Sequence, residues 1–80
     1  MKKESASPYV RNLPLALKTP AMTETVCDRL QVAAGMPDEV NGTQEHYMKT
    51  LGALNRLHRM GAVKKERAWT GKRWGILWTL

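Results

Sequence analysis

Lys49, Arg56 and Arg59 lie in a stretch of helical periodicity that also carries Gln44, His46, Gly52, Ala53 and Asn55, and five more cations follow it: Lys64, Lys65, Arg67, Lys72 and Arg73. Ammonium and guanidinium groups donate only, whereas carboxamides both donate and accept. Together they suit recognition of a polyanion whose building blocks also have hydrogen-bonding edges. Bond-making chemistry is not expected. The chain has no Ser–His–Asp order and no glycine-rich phosphate loop, and its acids are scattered. Asp38 and Glu39 are adjacent, so they do not share a helix face, and they read as first-turn acids. His46, His58 and Cys27 form no i,i+3 or i,i+4 pair and no C-x-x-C, so neither a metal nor a cofactor is expected.

The charge is unevenly placed. Of the net +6, residues 1–48 contribute five cations against six acids, whereas residues 49–80 carry eight cations against Glu66 alone. Such a localised basic surface is the electrostatic footprint of a polyanion partner; a solvated face that keeps the protein soluble is the plainer alternative. Eighty residues make one small domain. The start at Met1 has no apolar region behind Lys2 and Lys3, so a complete product without a secretory signal is expected. The single Cys27 fits a reducing cytoplasm.

The elements that must hold these cations follow from periodicity. Residues 1–19 read as an N-terminal arm. Tyr9, Val10, Leu13, Leu15 and Leu17 are apolar, but Pro8, Pro14 and Pro20 forbid a long helix, so this stretch is expected to be an arm or a short irregular helix that packs on the domain or on a second copy. Residues 20–80 read as the domain. Thr19-Pro20 starts a helix over about 20–34, with Met22, Val26, Cys27, Leu30, Ala33 and Ala34 on its stripe. Pro37, Asp38 and Glu39 start a short second helix that ends near Asn41-Gly42. The third runs over about 44–60. Tyr47, Thr50, Leu51, Leu54, Leu57 and His58 form its buried face; Glu45, Lys49, Gly52, Ala53, Arg56 and Arg59 lie opposite. Gly52 costs about 1 kcal/mol relative to Ala, so it implies close approach of something to the backbone. Gly61 caps this helix. Residues 62–69 and 72–80 alternate as a hairpin. Placing Trp69 opposite Lys72 sets Val63 opposite Trp78 and Lys65 opposite Ile76, which puts Trp74, Ile76, Trp78 and Leu80 on one face with Val63. Trp74 and Trp78 are then core residues. Trp69, beside the basic tip, is either an anchor or an exposed contact. A stacking platform for single-stranded nucleic acid is the alternative use of these indoles.

The run Leu54-Asn55-Arg56-Leu57-His58-Arg59-Met60-Gly61-Ala62-Val63, followed by Gly71-Lys72-Arg73 and Trp78-Thr79-Leu80, resembles the recognition-helix exit, wing tip and closing strand of the winged helix-turn-helix superfamily. The resemblance spans about residues 20–80 and implies an α+β fold of three helices followed by a two-stranded wing. Gln44 departs from it, standing where the family buries an apolar residue. A second frame makes residues 23–30 the second helix, takes residues 9–17 into the first, and leaves a long connection before the third.

The resemblance implies double-stranded DNA as partner. In that mode the third helix enters the major groove. Lys49 and Arg56 would donate to guanine, and Asn55 or Gln44 would pair with adenine, with His46 flanking the same face. Arg59 would grip phosphate, and Lys64, Lys65, Arg67, Lys72 and Arg73 would track the backbone from the wing. The expected function is a small, sequence-specific transcriptional regulator of the size found in phages, plasmids and prophages, not an enzyme, working as a homodimer through the 9–17 arm. A protein-interaction adaptor and a non-specific architectural DNA binder are the alternatives.

Overall fold

The computed structural model describes residues 8–80. Helix α1 spans Pro8–Ala16, strand β1 Ala21–Met22, helix α2 Thr23–Ala33, helix α3 Gln44–Arg59, strand β2 Lys64–Trp69 and strand β3 Trp74–Thr79; a single 3-10 turn, Asp38–Val40, lies between α2 and α3. The fold is α+β, three helices against a three-stranded antiparallel sheet of order β1-β3-β2.

The first two helices differ from the primary expectation and match the second frame. Thr19-Pro20 does not start a helix. Instead Ala21 and Met22 are extended and pair with Trp78 and Leu77, so the hairpin gains a third strand and β3 becomes central. The expected second helix at 37–42 is only one turn. Its region is a connection held by side chains. Gln31 is buried and donates to the Met36 carbonyl and to Asp38 Oδ1, and Asn41 Nδ2 donates to Gln31 Oε1 at 3.1 Å. Gly35 and Gly42, both at positive φ, mark its ends.

The arm expected over residues 1–19 is, from residue 8 onward, part of the domain. Pro8 sits at the first helical position and Pro14 removes one N–H donor, yet Leu13, Ala16 and Leu17 bury completely enough to hold the helix. Arg29 closes the far end by donating to the Ala16 and Thr19 carbonyls at 3.2 and 2.9 Å. The apolar side chains assigned to a second copy are therefore mostly spent inside the domain; of that stretch Leu15 stays exposed. Residues 1–7 of the arm lie outside the described residues.

Leu13, Leu17, Val26, Leu30, Leu54, Leu57, Val63 and Trp78 form the core. The Trp78 indole N–H donates to Thr23 Oγ1 at 2.8 Å, which fastens the central strand to the start of α2. Cys27 is buried at the edge of this core, beside Thr43 and Tyr47, and burial is the main cause that pushes its thiol above the ordinary value. The sign follows. The unfolded chain ionises this thiol first, so stability is fully present below the ordinary thiol range and declines as pH rises through and beyond it. Denaturation midpoints should hold near neutrality and fall at alkaline pH, and an aromatic disulfide reagent should react with Cys27 far more slowly in the native protein than in denaturant.

Candidate nucleic-acid interface

Helix α3 presents the candidate residues. Thr43 caps it, its Oγ1 accepting from the His46 N–H at 3.2 Å, with Glu45 in the first turn and Arg56, His58 and Arg59 in the last. Its buried stripe is His46, Thr50, Ala53, Leu54 and Leu57. This stripe is turned toward α1, away from Tyr47, because α1 packs against that flank as well as α2.

Two expected contact residues are therefore inside. Ala53 is in the core. His46 is 2% exposed, and its ring bridges three helices: Nε2 donates to the Cys27 carbonyl and Nδ1 accepts from the Tyr9 hydroxyl, each at 2.9 Å. The carbonyl can only accept, which assigns the proton to Nε2. His58, expected on the buried face, is half-buried, with Nδ1 donating to the Val63 carbonyl at 3.1 Å.

Gln44, Lys49, Gly52, Arg56 and Arg59 are exposed and Asn55 is half-buried. Lys49, Gly52 and Arg56 border the groove between α3 and Pro8, Tyr9 and Val10 of α1. A Cβ built on Gly52 would meet nothing within 4 Å, so this glycine does not serve a helix crossing. Glu45 lies 2.9 Å from Lys49. The hydrogen bond from Lys49, and then its charge, hold Glu45 below the usual carboxylate value, and the reciprocal contact raises Lys49. One cation of the face is thus partly neutralised by its neighbour.

The hairpin register differs from expectation by two residues: Trp69 faces Trp74 and Lys65 faces Trp78. A four-residue loop causes the shift. Thr70 ties to the Arg73 carbonyl through both its N–H and its Oγ1 at 3.0 Å, and Gly71 takes φ 98°. A shift of two preserves the faces. Lys65, Arg67 and Trp69 share one side with Trp74, Ile76 and Trp78. Lys65 Nζ lies 5.7 Å from the Trp78 ring and the Arg67 guanidinium 4.9 Å from that of Trp74. Lys64, Lys65, Arg67, Lys72 and Arg73 are all exposed. Arg73 also reaches Glu24 of α2 at 3.4 Å, with both side chains largely in solvent.

Trp74, expected in the core, is 57% exposed. Of these two indoles it is Trp78, deeper along the strand, that is buried against the helices. Tyr47, expected on the buried face of α3, is 39% exposed. Met48 is 55% exposed on the outward side of α3, and Tyr47 borders a groove with Met22, Thr23, Arg73, Trp74 and Ile76. Helical spacing from Gln44 and Gly52 places Met48 on the outward line, an apolar residue among polar ones.

No protein-family model matches the chain, and no curated protein or solved structure matches it either. Among the described residues, no helix is long and apolar enough to cross a membrane, and no three His, Cys, Asp or Glu side chains are grouped to hold a metal ion.

Proposed function

We propose that the protein is a winged-helix, sequence-specific binder of double-stranded DNA that acts as a small transcriptional regulator. Helix α3 enters the major groove and the β2–β3 hairpin is the wing on the backbone. The observation that carries this reading is the cationic surface itself. Lys49, Arg56 and Arg59 on α3 and Lys64, Lys65, Arg67, Lys72 and Arg73 on the hairpin are all exposed, and on α3 they flank a glycine with open space outside it. The element order helix–strand–helix–helix–hairpin supports the winged-helix comparison, with α2 and α3 as the helix-turn-helix pair and an extended connection between them. Bases are read by Lys49 and Arg56, with Asn55 and Gln44 at the outward edge; Arg59 and the wing hold phosphates.

The test is titration of random duplex DNA at two salt concentrations, followed by selection from a random library. Salt-sensitive binding with an enriched motif supports the reading, and the symmetry of the motif reports whether two copies bind. Absence of binding at low salt would refute it. Exposed Trp69, Trp74 and Met48 favour a second reading, an adaptor for a protein partner. In that case losses on mutation would centre on Trp69 and be indifferent to DNA sequence.

Gly52→Ala separates stability from binding. The substitution fits sterically and should raise helix stability by about 0.5–1 kcal/mol. It should weaken duplex affinity at the same time, by holding the α3 backbone away from the groove floor. Thermal denaturation and the duplex titration check the two halves independently.

A further inference from the structure

The wing ends in a feature that a duplex backbone does not use. Trp69 and Trp74 face each other across the strands, ring centroids 5.5 Å apart and planes 63° from parallel. They are 56% and 57% exposed. The third indole, Trp78, is buried and hydrogen-bonded, so burial was open to this strand face and these two residues lie beyond its reach. The Arg67 guanidinium covers the Trp74 ring, and Lys72 and Arg73 occupy the adjoining loop. Aromatic faces beside cations suit a partner that is anionic and carries flat, apolar rings. In duplex DNA those rings are stacked on one another and out of reach.

We propose that the Trp69–Trp74 pair is a binding site for an unpaired nucleobase, with Arg67, Lys72 and Arg73 holding the flanking phosphates. The wing thereby binds single-stranded nucleic acid, and the whole domain prefers a junction where duplex meets single strand. Stacking is indifferent to base identity because every base has a π face. The junction preference rests on α3 binding the duplex arm; the base site itself does not.

The test uses the full chain and tryptophan fluorescence. Stacking on Trp69 and Trp74 should quench emission when a ten-nucleotide oligo(dT) or oligo(rU) is added, and the two oligomers tell DNA from RNA. A duplex with a single-stranded overhang should bind roughly 5- to 150-fold more tightly than the blunt duplex, the range that 1–3 kcal/mol of base stacking gives. Trp69→Ala with Trp74→Ala should bring the overhang substrate to the blunt-duplex level. The milder Trp69→Leu alone, with its fold checked by circular dichroism, should remove part of the advantage. Quenching by oligomers without any duplex binding would refute the duplex reading and uphold the base site. Duplex binding with no overhang preference and no quenching would overturn the base site and leave the duplex reading standing. Quenching by neither nucleic acid would overturn it too, and turn attention to a peptide partner.

Discussion

Alanine at both Lys49 and Arg56 is expected to cost about 2–4 kcal/mol of affinity for the selected duplex, roughly 30- to 1000-fold in Kd. Both side chains are exposed on the α1 side of α3 and border the same groove, with Gly52 between them. Arg56 should carry the larger share, because its guanidinium offers a planar two-point donor to guanine, whereas Lys49 already shares its charge with Glu45. The loss should be sequence-dependent: affinity for the preferred site falls toward that for random duplex, which itself changes little. Lys72→Ala should instead lower both together and flatten the salt dependence. Duplex titrations with a preferred and a scrambled site measure this. Unchanged affinity in the double variant would remove α3 from the recognition role.

Leu13→Ala should destabilise the domain by about 2–5 kcal/mol, a large part of the roughly 5–10 kcal/mol that a small domain holds. Leu13 is fully buried in α1 against the rest of the core, so its loss leaves a cavity that neighbouring helices fill poorly. Leu15→Ala, two positions along on the exposed side, is the internal control and should stay within about 0.5 kcal/mol. Urea denaturation of the two variants decides whether α1 is integral. Equal, small effects would make this helix an appendage.

Helix α1 is where the sequence is least informative. The bounds of α3, the basic hairpin and the separation of hairpin faces were legible, because sixteen residues of helical spacing and two alternating runs each give a strong periodic signal. Residues 8–16 were legible only as an arm or a short irregular helix, since Pro8 and Pro14 mask a helix whose existence depends on tertiary burial of Leu13, Ala16 and Leu17. The buried face of α3 depends on this helix. Without a helix on that flank, the stripe of α3 was centred on Tyr47 and not on His46, and a buried hydrogen-bonded histidine looked like a contact residue. Strand β1 was illegible because its two residues lack any pattern of their own; the edge of β3 defines them. The exposure of Trp74 was hidden for a related reason. Alternation identifies a face but does not say how far along the strand the helices reach.

The sheet order has a further consequence. With β3 in the centre, the two edges are a two-residue stub and strand β2, and Lys64, Lys65, Glu66 and Arg67 make up most of β2. An open strand edge is a template for pairing with another molecule's strand, and charged side chains along it, lysines above all, are a common defence against that association. The cations assigned to phosphate are also gatekeepers of colloidal behaviour. Neutralising them would weaken the proposed nucleic-acid binding and, in the same step, unguard an edge that leads directly to two solvent-facing indoles. Cloudiness on concentration, not misfolding, is the form that damage would take.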